Sequence, residues 1–220
     1  MLKVGLTGGI ASGKSTVGEM LVALGARLVQ ADRIAHQLML PGQPVYNEVV
    51  RHFGGGILNS DLSVNRGKLA EAAFGSPTSG AQRDSATAAS ASRIQELNRI
   101  VHPAVIRSQD EWMEEVGRAD PQSIAVVEAA LIIEAGAAKR FDCMIVVTSG
   151  DEQRIARFAT RQKLSLDAAR TEVARRMAAQ LPEAEKIKAA DYVIDNSGPL
   201  DHTRKQVQQV WAKLRAELQP

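Results

Sequence analysis

Residues 8–15 read Gly8-Gly9-Ile10-Ala11-Ser12-Gly13-Lys14-Ser15, which fits the phosphate-loop pattern G-x-x-x-x-G-K-[ST]. The short apolar segment 2–6 before this motif predicts a strand, and the apolar residues at 17, 20, 21 and 24 after it predict a helix. The motif requires a strand before it and a helix after it. In such a loop, backbone N–H groups and the start of the helix surround phosphate oxygens. The sequence therefore predicts a nucleotide-binding α/β fold.

Two side chains of the motif carry the expected chemistry. Lys14 is predicted to reach the β and γ phosphates of a nucleoside triphosphate. Ser15 is predicted to bind Mg²⁺, which prefers hard oxygen ligands and shares them with the phosphates. The alternative is a glycine-rich turn with a surface lysine, which the flanking strand and helix disfavour.

Short β-branched runs in the rest of the chain predict further strands that are buried on both faces. The strand candidates are residues 27–30, 124–127, 144–147 and 192–194, and helices are predicted to begin near Asp32 as an N-cap, Asp151, Asp167 and Pro199. Strands that alternate with helices indicate a parallel sheet flanked by helices. The length of 220 residues favours one core with a small accessory lobe.

The region between the second and third strand candidates is predicted to be mainly helical. Helical segments are expected at 44–53, 66–74 and 93–117, and Pro103 predicts a break or kink in the last of these. The stretch 76–92 is rich in Ser, Ala and Thr, so a flexible connection is favoured there over a weak helix.

Charge and cysteine content limit the class of protein. The net charge is +2, so the overall field does not favour a nucleic-acid or anionic-membrane partner. Cys143 is the only cysteine, which excludes an intrachain disulfide and a cysteine-rich zinc site. The first residues lack a long apolar run, and we expect a cytoplasmic protein that does not span a membrane. The oligomeric state stays open.

The phosphate loop alone leaves several classes of nucleotide-binding protein. A GTPase switch is disfavoured because no Asn is followed by Lys, as the guanine-binding N-K-x-D motif requires. A motor or DNA-processing ATPase stays possible, but 220 residues with balanced charge leave little room for the extra machinery. A phosphotransferase needs an acceptor site, a base for the acceptor hydroxyl and cations that close over the γ-phosphate.

Several charged residues fit a phosphotransferase, each with a plainer alternative. Asp32 follows the second strand and fits the base, although it also fits a simple N-cap. Arg154, Arg157 and Arg161 share one helix face and could meet phosphate, although a solvated face is the default for such a run. Glu128 ends a strand where an acidic residue near the metal is expected, or it is structural.

Longer segments are more specific than the loop alone. The segments are 5–16 (GLTGGIASGKST), 30–36 (QADRIAH), 127–134 (VEAALIIE), 176–180 (RMAAQ) and 190–198 (ADYVIDNSG). Together they resemble the dephospho-CoA kinase family over nearly the whole chain. The chain departs from the family pattern at Gln30, Glu128 and Ala130, where the family has Asp, Asp and Pro.

The resemblance implies a P-loop kinase fold that phosphorylates the ribose 3′-hydroxyl of dephospho-CoA with ATP and Mg²⁺. It implies a nucleotide-binding core at 1–61 and 119–220 with a lid at about 154–186, and a helical acceptor lobe at 62–118. The implied nucleotide contacts are Gly9, Ile10, Ala11, Ser12, Gly13, Lys14, Ser15, Thr16, Arg157 and Asn196, and the implied catalytic residues are Lys14, Asp32 and Arg161. The implied acceptor contacts are Asp32, Arg66, His102, Leu131, Glu134 and Gln180. The alternatives are another P-loop nucleoside or small-molecule kinase and a nucleotide-dependent regulatory protein.

Overall fold

The computed structural model describes residues 1–74 and 83–218 and confirms the predicted α/β fold. Five parallel strands form one sheet in the order β2-β3-β1-β4-β5. The strands are β1 (Leu2–Gly8), β2 (Arg27–Gln30), β3 (Ile124–Glu128), β4 (Cys143–Thr148) and β5 (Tyr192–Asp195). Every strand candidate from the sequence is therefore present, with its ends shifted by at most two residues.

Helices connect and flank these strands. They are α1 (Lys14–Ala23), α2 (Ala31–Leu38), α3 (Pro44–Phe53), α4 (Arg66–Phe74), α5 (Arg83–Ala119), α6 (Asp151–Gln162), α7 (Leu166–Ala178), α8 (Glu183–Lys188) and α9 (Leu200–Glu217). Gly25, with a φ of +112°, follows α1, which agrees with the predicted glycine at the end of that helix.

Alternate strand residues pack into two different layers. In β3, Ile124 and Val126 pack in one apolar cluster with residues of α1 and α9. Ala125 and Val127 pack in a second cluster with Met113 near the end of α5. Because successive side chains of a strand point to opposite faces, this division places helices on both sides of the sheet.

The strand register brings three sequence-distant segments to one edge of the sheet. In β1, Leu6 lies opposite Glu128 of β3, and Gly8 lies opposite Val147 of β4. In β2, Gln30 also lies opposite Glu128. Because all strands are parallel, their carboxyl ends meet at this edge, where α/β proteins bind ligands.

Three helical features differ from the sequence-based expectations. Helix α2 begins at Ala31, so Asp32 lies in its first turn and is not its N-cap. Pro103 does not end the helix: α5 is 37 residues long and contains Pro103 in its interior. The buried neighbours Val101 and Val105 anchor this part of α5, and such packing can outweigh the proline penalty of about 3 kcal/mol. Helix α8 was not predicted.

The expected flexible connection at 76–92 is only partly within the described residues. Residues 75–82 lie outside them. From Arg83 onward the backbone is helical and belongs to α5, so residues 83–92 are not the flexible connection that their composition favours.

The chain divides into two compact units. One comprises Met1–Gln30 and Trp112–Pro220, and the other comprises Ala31–Glu111. The second unit has its own buried apolar residues on α3, α4 and α5, and an isolated antiparallel bridge joins Leu58 and Val64. The predicted core, acceptor lobe and lid are defined by the substrates that they would bind, so this division stays a prediction.

Cys143 lies in β4, and its side chain is buried. Burial, together with the negative charges of Asp191, Glu217 and Asp142, raises the pKa of the Cys143 thiol to about 12. Within the part of the chain that the structure describes, no helix has both the length and the apolar character that crossing a bilayer requires.

Candidate active site

The phosphate loop joins β1 to α1, and its shape depends on glycine at position 13. Gly13 is the N-cap of α1 and has a φ of +95°, a conformation that side-chain-bearing residues rarely adopt. A Cβ at Gly13 would overlap the side-chain nitrogen of Asn196. The loop therefore keeps its amide groups open toward a phosphate at the start of α1, which fits the nucleotide predicted from the motif.

The carbonyl oxygen of Ser12 is the point at which other elements hold the loop. Asn196 Nδ2, at the end of β5, donates to this oxygen at 2.8 Å, and Arg157 Nη1 of α6 donates at 3.3 Å. Arg157 Nη2 also donates to the Asn196 carbonyl at 2.8 Å, and Thr203 Oγ1 donates to Asn196 Oδ1 at 2.9 Å. Arg157 and Asn196 are two of the predicted nucleotide contacts, and in the structure their side chains hydrogen-bond to the loop.

Lys14 contacts the loop itself, whereas Ile10 packs the loop against neighbouring helices. Lys14 Nζ donates to the carbonyl oxygens of Gly8 and Gly9, both at 3.0 Å. The Ile10 side chain is buried in an apolar cluster with Ile155 and other residues of α6 and α7. In this structure the ammonium group of Lys14 thus folds back onto the loop that is expected to hold phosphate.

Ser15, Glu128 and Gln30 form a hydrogen-bonded row across β2, β3 and α1. Ser15 Oγ donates to Glu128 Oε1 at 2.7 Å, and Gln30 Nε2 donates to Glu128 Oε2 at 2.8 Å. Glu128 is buried, so this pairing satisfies both of its carboxylate oxygens. A hydroxyl and a carboxylate oxygen are hard ligands that fit Mg²⁺.

No cluster of three or more His, Cys, Asp or Glu side chains able to hold a metal occurs among the described residues. A metal ion held by Ser15 and Glu128 would take its other ligands from phosphate oxygens and water. This coordination is typical of Mg²⁺, which usually keeps several waters and binds substrate phosphates.

The three arginines of α6 occupy different environments. Arg154 is almost fully buried: its Nε donates to the Ser149 carbonyl at 2.6 Å, and its Nη2 pairs with Glu183 of α8. Burial lowers the pKa of the Arg154 guanidinium. Arg161 is exposed and lies 5.7 Å from the centre of the Phe158 ring. Arg161 is thus the α6 arginine that solvent reaches most freely.

Two predicted acceptor contacts, Glu134 and Gln180, meet at one buried lysine. Lys186 Nζ lies 2.7 Å from Glu134 Oε1 and donates to Gln180 Oε1 at 3.3 Å. The Leu181 N–H also donates to Glu134 Oε1 at 3.2 Å. Leu131, which precedes Glu134 in the same loop after β3, is exposed. The structure therefore brings Glu134 and Gln180 together through Lys186.

The remaining predicted site residues belong to the second unit. Asp32 is exposed in the first turn of α2. Arg66, at the start of α4, lines a cavity of about 240 Å³ together with His36 and other residues of this unit. His102 lies on α5, where partial burial lowers its pKa and so favours the neutral imidazole. The functional roles of Asp32, Arg66 and His102 stay predictions.

Sequence reasoning did not identify Ser149, Glu183 or Lys186 as parts of the site. Ser149 belongs to no motif, yet its carbonyl oxygen accepts from Arg154 Nε and its hydroxyl oxygen accepts from Arg157 Nη1 at 3.1 Å. A signal for α8 does exist: Pro182 precedes Glu183 and Glu185 in the first turn, and Lys186 and Lys188 lie in the last turn. Acidic residues at the start and basic residues at the end of a segment favour a helix.

Comparisons with known proteins give matches over nearly the whole chain. A model of the dephospho-CoA kinase family matches residues 2–202. A dephospho-CoA kinase of Leifsonia xyli subsp. xyli is 39% identical over 215 residues, which are 98% of this chain and 100% of the relative. That of Geobacter metallireducens is 39% identical over 220 residues and all of both chains. A solved structure from Thermus thermophilus matches with a TM-score of 0.73 and 30% identity over 97% of each chain.

Proposed function

This chain belongs to the dephospho-CoA kinase family, and we propose which of its residues bind ATP, which bind dephospho-CoA and which catalyse transfer of the γ-phosphoryl group between them. The acceptor atom is the ribose 3′-hydroxyl oxygen, and the products are coenzyme A and ADP. The reaction is the last step of coenzyme A synthesis.

The phosphates of ATP bind along the backbone of residues 9–16, where the amide groups and the start of α1 favour negative charge. Lys14 turns from the carbonyl oxygens of Gly8 and Gly9 to the β and γ phosphates, because phosphate oxygens carry more negative charge than a carbonyl. Arg157 and Asn196 hold the Ser12 carbonyl, so the loop is already shaped before ATP arrives.

The row formed by Ser15, Glu128 and Gln30 is the observation that carries this proposal, since it places hard oxygen ligands beside the loop. Ser15 and Glu128 would hold Mg²⁺ there, and the ion would supply positive charge that neutralises the phosphates. Gln30, which departs from the family pattern, orients Glu128 through its hydrogen bond to Oε2. An amide in place of a carboxylate at position 30 avoids a second negative charge next to the buried Glu128.

Asp32 accepts the proton of the 3′-hydroxyl while the hydroxyl oxygen forms a bond to the γ-phosphorus. The bond from the γ-phosphorus to the bridging oxygen breaks, and ADP leaves with that electron pair. Arg161, which solvent reaches freely, is the guanidinium that closes over the transferring group. Arg66, His102, Leu131, Glu134 and Gln180 contact the rest of the acceptor.

The test is ADP formation by the purified protein with Mg²⁺ and ATP in the presence of dephospho-CoA, AMP, CMP, adenosine or no acceptor. We expect ADP only with dephospho-CoA and a product with the mass of coenzyme A. Turnover with another acceptor would mean that the protein catalyses a different P-loop kinase reaction. ATP binding without any acceptor-dependent ADP would indicate a regulatory protein.

The role of Asp32 is tested by Asp32→Asn, with Asp201→Asn as the matched control. Both residues are exposed aspartates at the second position of a helix, and Asp201 lies on α9. We expect Asp32→Asn to lower kcat by about 100-fold or more, because general bases contribute on that scale, while the KM for ATP stays near that of the wild type. Near wild-type turnover of Asp32→Asn would remove the base assignment.

A further inference from the structure

Helix α8 is only six residues long, yet it supplies one partner to each of two ion pairs whose basic member is buried. Glu183 pairs with Arg154, and Lys186 pairs with Glu134. The side chains of Arg154 and Lys186 are both 2% exposed. Because Glu183 and Lys186 are three positions apart, they lie near each other on the helix surface.

The pair at Glu183 leads to the phosphate loop. Arg154 Nε donates to the Ser149 carbonyl at 2.6 Å, and a Cβ at Gly9 would overlap Arg154 Nη1. Arg154 Nη1 thus lies close to the loop backbone at Gly9. Glu183 is thus connected to the phosphate loop through Arg154.

The pair at Lys186 leads to the loop after β3. Glu134 Oε1 forms an ion pair with Lys186 Nζ and accepts a hydrogen bond from the Leu181 N–H. The other carboxylate oxygen, Glu134 Oε2, is buried and has no hydrogen-bond partner. Gln180 Oε1 accepts from the same lysine. Lys186 therefore fixes the loop that carries Leu131 and Glu134, together with the segment between α7 and α8.

Fold stability is not a sufficient reason for two such pairs. Apolar side chains of similar volume often stabilise a protein as well as a buried ion pair does, because burial removes water from both charges. Hydrogen-bonded charges do provide fixed geometry, since each donor must point at its acceptor. The two pairs are suited to holding two loops in defined positions.

We propose that Arg154 and Lys186 are positioning residues, through which α8 holds the phosphate loop on one side and the acceptor-binding loop after β3 on the other. This inference rests on the proposed function, because it takes the loop after β3 to contact dephospho-CoA. Neither residue touches the reacting atoms.

The experiment compares KM values for the two substrates in two single variants. We expect Lys186→Met to raise the KM for dephospho-CoA about tenfold or more and to leave the KM for ATP unchanged, since it removes a charged hydrogen bond. We expect Arg154→Met to produce the reverse selectivity on the same scale. KM is insensitive to the fraction of enzyme that is folded, whereas apparent kcat falls with that fraction.

The matched control is Lys188→Met. Lys188 lies two positions after Lys186 on α8, is 71% exposed and pairs with Glu185 at the surface, so both KM values are expected to stay at wild-type levels. A lowered Tm with both KM values unchanged in Lys186→Met and Arg154→Met would mean that the pairs serve only stability, and the proposal would be overturned. Equal increases in both KM values would overturn it as well.

If Arg154→Met does not fold, Glu183→Gln tests the same ion pair from its partly exposed side. The Glu183 side chain is 36% exposed, so its replacement leaves no fully buried cavity. A rise in the KM for ATP alone supports positioning, and unchanged or equally raised KM values contradict it. A wild-type protein without dephospho-CoA-dependent ADP formation contradicts the proposed function instead, and that result is obtained before any variant is made.

Discussion

The phosphate loop and the outer face of α7 both use arginines, but they use them in different ways. Near the loop, Arg154 and Arg157 donate to backbone carbonyl oxygens at 2.6 and 2.8 Å. On α7, Arg175 and Arg176 share the carboxylate of Glu172, and their side chains are 58% and 48% exposed. The first arrangement fixes backbone geometry, whereas the second holds two flexible side chains together in water.

Spacing along a helix therefore predicts where arginines lie, but it does not predict how much each arginine contributes to stability or activity. Exposed ion pairs typically contribute less than about 1 kcal/mol, because water screens them and both side chains lose freedom. A buried donor that loses its partner costs about 1 to 3 kcal/mol. We therefore expect large effects from changes at the loop and small effects from changes on α7.

The largest effect is expected from Lys14→Ala. Lys14 is the cation of the loop motif, and removing one preorganised donor to a developing charge typically costs about 100- to 1000-fold in kcat. The measurement is dephospho-CoA-dependent ADP formation, with Tm as the check on folding. Lys205→Ala, at an exposed position of α9, is the control and should retain full activity. An active Lys14→Ala enzyme would remove the contrast between the loop and the surface of α7.

An intermediate effect is expected from Gly13→Ala, and Gly42→Ala is its matched control. The two glycines have φ values of +95° and +90°, but a Cβ at Gly42 would meet nothing within 4 Å, whereas a Cβ at Gly13 would overlap Asn196. Both variants incur backbone strain of about 1 to 2 kcal/mol in the free energy of unfolding.

Only Gly13→Ala should also disturb the hydrogen bond from Asn196 to the Ser12 carbonyl and raise the KM for ATP. Denaturant unfolding of both variants measures the backbone strain that they share. The KM for ATP measures the effect of the steric overlap with Asn196, which occurs only in Gly13→Ala. Identical stability losses with an unchanged KM for ATP in both variants would mean that Asn196 does not shape the loop.

The smallest effect is expected from Glu172→Gln on α7. Hydrogen bonds from Arg175 and then Arg176 lower the pKa of Glu172 to about 2, from an ordinary value of 4.5. A group whose folded-state pKa is depressed contributes stability above its unfolded pKa and loses it as the pH falls through the folded value. Because both arginines are exposed, we expect a loss of less than about 1 kcal/mol near neutral pH.

The check on Glu172→Gln is the free energy of unfolding of wild type and variant as a function of pH. The difference should be constant above pH 4.5 and should shrink as the pH falls from 4.5 toward 2, with kinase activity unchanged near neutral pH. A difference that grows on acidification would contradict the ion-pair interpretation.

The two regions also differ in how well the sequence predicts them. The phosphate loop was predictable because eight consecutive residues form its motif, although the distant residues Asn196 and Arg157 hold the loop in the folded chain. The strands were predictable for a similar reason, since short β-branched runs such as Met144–Val147 are buried on both faces. Local patterns were sufficient wherever the determining contacts are close in the chain.

Long-range contacts set the features that sequence reasoning did not predict. Pro103 continues inside α5 because buried neighbours on both sides anchor the helix. Lys186 and Glu134 are far apart in the chain, and no spacing rule pairs a lysine of one short helix with a glutamate of a distant loop. The fold was thus predictable from periodicity, whereas the partners of individual charges required the three-dimensional structure.

The burial of Cys143 in β4 has a consequence for the chemistry of the product. Coenzyme A carries a free thiol, and thiols exchange with protein cysteines through the thiolate form. Cys143 is the only cysteine, and with its pKa raised to about 12 it stays protonated at neutral pH inside the sheet. The folded enzyme therefore presents no reactive sulfur with which its own product could form a mixed disulfide, and oxidised coenzyme A should leave the protein unmodified.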